Sequence, residues 1–191
     1  MRKENFKHLE CPLARSLDII GEWWSLLIVR DLFYGVNTFD LICEDLGIAR
    51  NILTDRLKKF EDRGIIEKWT DKIKSRGRAY RLTKKGKDLF PVIMALVAWG
   101  NTWESPNGPP IIFKHLPEGH TVQPLVICKH CGEPIIAKDI QPKKGPGVKR
   151  QSALPLPLRD PIRAPGDKKN RGTSSANRRN KSKHQGGRYE E

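Results

Sequence analysis

A mainly α fold with a small β-hairpin wing (α+β) is what this sequence predicts, and three features predict it. Two short helical patterns, in FDLICEDL and RNILTDRLKKF, are joined by a brief glycine-containing turn. Past Gly64 the apolar spacing changes from helical to strand-like in IIEKWTDK and RAYRLT. Between those two runs lies DKIKSRGR, a polar, glycine-containing hairpin tip. Two helices with a tight turn form a helix-turn-helix, and a basic hairpin directly after it makes the arrangement a winged one.

Each element has its own local warrant. In CPLARSLDIIGEWWSLLIVRDLFYG, Leu13, Leu17 and Ile20 form one short helical face. Trp24, Leu27, Ile28, Asp31 and Leu32 form a second, and Gly21 and Gly35 are placed to terminate the two helices. Asn37 or Thr38 caps the next helix, whose Phe39, Ile42, Cys43 and Leu46 fall at i, i+3, i+4, i+7. Gly47 supplies the turn. The following helix buries a seam of Leu53, Leu57 and Phe60 and turns Asn51, Thr54, Asp55 and Lys58 the other way. A polar face is by itself only the wet side of an amphipathic helix. In a helix-turn-helix, however, the N-terminal residues of this second helix enter the major groove.

Ile66, Trp69, Tyr80 and Leu82 are the packing residues of the hairpin. Thr83 then caps a helix over 83–103, with Leu89, Ile93, Leu96, Val97 and Trp103 as a broad apolar stripe and Pro91 as a kink or restart. So apolar a helix on so small a domain predicts a two-fold dimer contact. Three segments follow: 9–104 as the winged helix and dimerisation domain, 105–140 as a linker with a small β-rich CxxC knuckle, and 141–191 as a disordered basic tail.

Charge supports a polyanionic partner but places most of it in that tail. The chain of 191 residues carries a formal +14, of which residues 141–191 hold +10, leaving only +4 for the first 140. MRKENFKHLECPLARS lacks the apolar core of a secretory signal, and PVIMALVAW is short of the roughly 20 residues that span a bilayer. A soluble, cytoplasmic protein without membrane association is expected. Its four cysteines (Cys11, Cys43, Cys128, Cys131) then read as thiols or metal ligands rather than disulfides.

CKHCGEP has the form of a zinc knuckle, two thiolates on a tight turn with backbone N–H groups stabilising the charge. No cofactor is required by the rest of the chain, but Zn2+ at Cys128 and Cys131 is a candidate. Structural zinc wants four ligands. The others come from His115, His120 or His130, or from a second knuckle across a dimer; a metal-free ribbon and a redox-active thiol pair are the alternatives.

Three quoted stretches carry a family resemblance: CPLARSLDIIGEWWSLLIVRDLFYG, FDLICEDLGIARNILTDRLKKFEDRGIIEK and YRLTKKGKDLFPVIMALVAWGNTW. Over roughly residues 9–103 the chain closely resembles HxlR-type winged-helix transcriptional regulators, with several motifs in one unbroken order. The resemblance implies a homodimeric regulator of double-stranded DNA, with dimer contacts from the N-terminal helix and the 83–103 helix. It departs from the pattern at Ala49, where many relatives place a serine; alanine cannot cap, a loss of about 1 kcal/mol or less. Some relatives sense electrophiles or oxidants through a cysteine at the position of Cys11, where Lys7, His8 and Arg15 are near in sequence. Cys43, on a helical apolar face, reads as core.

On that frame the candidate DNA contacts are Thr38, Arg50, Asn51, Thr54, Asp55, Arg56 and Lys58, with Lys72, Lys74, Arg76 and Arg78 on the wing. An asparagine amide pairs in bidentate fashion with adenine, an aspartate accepts from cytosine, and a threonine touches a thymine methyl or phosphate. Arg50 and Lys58 suit guanine or phosphate. Arg56, nearer the seam, reaches phosphate or pairs with an acid, and Asp55 reads a base or holds Lys59 four residues on. Wing cations position the domain on phosphates.

The expected function is a sequence-specific regulator, a repressor, acting as a homodimer on a pseudo-palindromic operator and responsive to a small molecule or electrophile. The rival is a low-specificity nucleic-acid binder whose affinity comes from the basic tail. Catalysis is not expected: the chain has no phosphate-binding glycine loop, no His/Asp/Ser set with catalytic spacing, and no βαβ pattern around the CxxC.

Overall fold

The computed structural model describes residues 5–69 and 79–159. Helix α1 (Pro12–Ile20) leads to α2 (Ser25–Phe33), α3 (Phe39–Leu46) and α4 (Arg50–Asp62). Strands β1 (Ile66–Trp69) and β2 (Ala79–Leu82) pair antiparallel in the register Ile66↔Leu82 to Trp69↔Ala79. A short α5 (Lys84–Lys87) and the long α6 (Phe90–Trp103) complete the winged helix, and α7 (Leu156–Arg159) lies far downstream.

Caps and glycines explain most boundaries. Thr38 and Thr83 cap α3 and α5 by accepting from the N–H groups of Leu41 and Gly86. Pro91 restarts rather than kinks: it lies in the first turn of α6, where a missing N–H costs nothing. Gly35 and Gly47 adopt φ of 85° and 61°, which a side chain rarely tolerates. Gly21 closes α1 differently from the expectation. Its φ is −79°, and it is needed for space, since a Cβ there would overlap the Leu17 carbonyl oxygen that its own N–H binds.

The core centres on α2, with Ile28 and Val29 fully buried among Ile42, Leu53, Leu57, Phe60, Ile66, Tyr80 and Leu82. The seam Leu53–Leu57–Phe60 therefore faces inward as its spacing predicts. Cys43 packs at the margin of this core. Asp31 is buried beside it, and one of its oxygens takes both Nε and Nη2 of Arg30 at 2.9 and 2.6 Å. Its other oxygen has no partner among the described residues, and burial outweighs Arg30 and pushes the carboxyl above the ordinary range. Arg30 also reaches Asp45 at 3.1 Å, tying α2 to α3.

Of the segment expected to be disordered from residue 141 onward, 141–159 lie among the described residues and touch the N-terminal segment. The backbone N–H groups of Lys149 and Arg150 donate to the Glu10 carboxylate at 2.7 and 2.9 Å, and Glu10 N–H donates to Ala153. Ala153 and Leu154 are buried against this anchor. A carboxylate that accepts from one backbone donor on each oxygen, with two apolar residues beside it, holds a segment whose average composition reads as unstructured. Residues 160–191 lie outside the described residues.

Candidate nucleic-acid interface

Gly47 turns the chain out of α3, Ile48 is buried as the pivot, and Ala49 opens α4 with no side-chain cap, as an alanine must. Seen from the core outward, the first three turns of α4 present Arg50, Asn51, Thr54, Asp55 and Lys58 to solvent. With Phe39 and Asp40 of α3, Arg50, Asn51 and Thr54 line an open cleft of about 430 Å3.

These groups differ in what they have free. Arg50 is bound to Asp40 at 2.7 Å and lies 4.6 Å over the ring of Phe39. Both partners of that ion pair are largely exposed, so water and salt screen it and a phosphate or guanine can displace Asp40. Asn51 makes no side-chain hydrogen bond among the described residues. Thr54 donates its hydroxyl to the carbonyl of Arg50 at 2.8 Å, leaving its methyl and oxygen lone pairs to face outward. Thr38 is half-buried; its oxygen serves the cap of α3, at a helix N-terminus suited to a phosphate.

A family model described as HxlR-like helix-turn-helix matches residues 19–108. A "HTH-type transcriptional regulator" of Mycobacterium tuberculosis, MT3179, is 39% identical over 142 residues, 74% of this chain and 90% of the relative. The chain belongs to the HxlR-like helix-turn-helix family. YvaP of Bacillus subtilis, another HTH-type regulator, is 30% identical over 99 residues, 51% of this chain and 92% of its own length. Among solved structures, PA1607, a transcription-factor candidate, superposes with a TM-score of 0.65 at 36% identity, covering 72% of this chain and 97% of its own. This HxlR-like chain is thus a DNA-binding transcriptional regulator by family. The 142 residues matched in the mycobacterial relative exceed the 108 that end the family match, so the similarity continues past α6.

In the HxlR-like domain the alternatives open at Arg56 and Asp55 can be compared with the contacts formed within the chain. Of its two, Arg56 takes the acid. Its guanidinium pairs with Glu22, in the α1–α2 link, and its side chain is only 16% exposed. Lys59 donates to the same carboxylate at 2.8 Å, so of the two readings open at Asp55 the pair with Lys59 is not formed. Asp55 has no ion pair among the described residues and stays on the outer face. Lys58 is likewise exposed and unpaired among them. The wing cations Lys72, Lys74, Arg76 and Arg78 lie outside the described residues, while Lys68 and Arg81 on the strands are neutralised by Glu61 and Glu67.

Glu22, Asp40 and Phe39 are what sequence reasoning missed. Glu22 sits between helices, where no periodicity applies, and its partners are 34 and 37 residues away. Replacing Glu22 with alanine is expected to destabilise the domain by about 1–3 kcal/mol, between the range for exposed pairs and that for buried ones. The urea midpoint of the variant checks this; an unchanged midpoint would show that Arg56 and Lys59 are indifferent to their partner.

Cys11 is the half-buried N-cap residue of α1 and makes no side-chain cap bond. Beyond α6, Cys128 is half-buried and Cys131 exposed. N–H groups of Cys131 and then His130, with the Cys131 side chain, pull the Cys128 thiol below its ordinary pKa. That suits a thiolate ligand. Yet among the described residues the group whose three donor atoms converge is His115, Glu118 and His120, within 4.8 Å of one another. No helix among the described residues is long and apolar enough to cross a membrane.

Proposed function

We propose that this regulator binds a pseudo-palindromic operator as a homodimer and acts as a repressor. The observation that carries the reading is the outer face of α4. Asn51 stands there between Arg50 and Thr54, its amide without a hydrogen bond among the described residues, opposite a fully buried seam. Asn51 and Asp55 read base edges, Arg50 and Lys58 hold guanine or phosphate, and Thr38 and the wing residues Lys72, Lys74, Arg76 and Arg78 position the backbone.

Dimerisation through α1 and α6 is supported by what the single chain leaves in water. Leu13 and Leu17 on α1, and Leu96, Trp99 and Trp103 on α6, are all more than 40% exposed. Burial of such a surface is worth roughly 25 cal/mol per Å2. Cys11 heads α1, so alkylation or disulfide formation at its sulfur would alter that contact; this is the route proposed for an electrophile signal. Repression needs no surface beyond the DNA-binding face, since an occupied promoter excludes polymerase.

Genomic fragments selected by the full chain, then footprinted, test the reading. Two protected half-sites roughly 10 bp apart, or a multiple of that, are expected. One isolated half-site overturns the dimer model. The charge of +10 in residues 141–191 favours a second reading, in which the tail supplies the affinity. A chain ending at residue 140 that loses its affinity, with residual binding that shows no sequence preference, would establish it.

A further inference from the structure

The segment past α6 contains the same turn twice. In the first copy, Val122 N–H donates to Phe113, His115 N–H to His120 and Gly119 N–H to His115, at 2.8, 2.9 and 2.6 Å. In the second, Ile135 donates to Val126, Cys128 to Glu133 and Gly132 to Cys128, at 2.9, 2.8 and 2.7 Å. Every bond of the first recurs at a constant offset in the second. The bridges Lys114↔Thr121 and Ile127↔Pro134 share that offset, as do the glycines with positive φ, Gly119 at 71° and Gly132 at 78°.

This backbone brings the first and fourth side chains of the turn together. In the second copy they are Cys128 and Cys131, a recognisable ligand pair. In the first they are His115 and Glu118, and sequence inspection does not mark them as its equivalent. His115 Nδ1 lies 2.9 Å from Glu118 Oε2, and His120 Nδ1 lies 3.4 Å from the same oxygen. The two imidazoles are stacked, with centroids 5.2 Å apart. Zinc–nitrogen and zinc–oxygen bonds of about 2.0–2.2 Å in a tetrahedron put ligand atoms roughly 3.3 Å apart, close to both separations.

We propose that residues 114–134 are a two-turn metal-binding module, and that its first turn holds a zinc-class divalent cation through His115, Glu118 and His120. With each imidazole N–H on Nε2, both Nδ1 atoms and the Glu118 carboxylate are available as ligands within 4.8 Å of one another; rotation of these exposed side chains closes them on an ion, and solvent supplies the fourth ligand. Two neutral imidazoles and one carboxylate leave a net positive complex. The second turn, with its two thiolates, is the separate place for zinc that the CxxC spacing suggests.

Co2+ titration of the chelator-stripped, reduced full-length protein tests this, read by visible absorption and calorimetry. A Cys128→Ser/Cys131→Ser variant is expected to retain one equivalent of Co2+ with no sulfur-to-cobalt charge-transfer band. His115→Ala/His120→Ala should lose that equivalent, with at least 100-fold weaker binding, and Glu118→Gln should weaken it tenfold or more; helical circular dichroism confirms that each variant is folded. Loss of all Co2+ binding in the cysteine variant, or unchanged affinity in the histidine variant, overturns the proposal.

Discussion

Gly86→Ala is expected to destabilise the domain by about 1–3 kcal/mol, at the upper end of that range, although it changes one exposed-looking residue in Lys-Lys-Gly-Lys. Gly86 is buried where α5 meets the start of β1, and an added Cβ would lie well inside the van der Waals radius of the Ile65 carbonyl oxygen. Leu82 Cδ2 is 3.0 Å away on another side. The oxygen cannot retreat cheaply, because it accepts from Thr83 N–H at 3.0 Å, while the Thr83 hydroxyl ties down the adjacent Gly64 carbonyl at 2.6 Å. Overpacking here would push α5 off the hairpin and loosen β2, the strand that returns from the wing. Gly100→Ala is the matched control. A Cβ there meets nothing within 4 Å, so stability should be unchanged or rise by up to about 1 kcal/mol. Urea unfolding of both variants reads the difference, and a Gly86→Ala protein as stable as the parent would refute the close approach.

Asn51→Ala should cost about 1–3 kcal/mol on the selected operator, roughly a 5- to 150-fold loss, and almost nothing on scrambled DNA of equal length. The asymmetry follows from the chemistry: the amide holds no partner among the described residues, so its loss removes contacts made to bases. Lys58→Ala should behave differently. It should weaken both DNAs and shallow the log–log salt slope by about 0.9. Competition binding at several salt concentrations separates the two. Equal losses on both DNAs for Asn51→Ala would remove it from the reading set.

Local patterns were legible wherever neighbours in sequence decide the outcome. The Leu53–Leu57–Phe60 seam, the Thr38 and Thr83 caps and the left-handed turn at Gly47 each depend on four or five consecutive residues, and those are written in order. The i, i+4 rule failed at Asp55 because it describes an isolated helix, where Lys59 has no better offer. In the folded domain Glu22 is within reach of both Lys59 and Arg56, and a half-buried carboxylate holds them more strongly than an exposed one does.

The anchor of the tail and the grouping of Glu118 with His115 and His120 were hidden for related reasons. Composition averages a segment, so it overlooked the Ala153–Leu154 anchor and the Glu10 carboxylate 139 and 140 residues before its donors. Spacing finds CxxC because both positions carry the same letter; His-x-x-Glu with a later histidine has the same backbone but no repeated letter.

By itself, then, the sequence determined the winged helix-turn-helix, its family and which face of α4 turns outward, since periodicity and turn chemistry act over one or two turns of chain. Tertiary structure decided which charges on that face are left free, where a glycine admits no methyl, and which three side chains converge beyond α6. Those outcomes depend on residues that meet only after the chain has closed on itself, and no local pattern records the meeting.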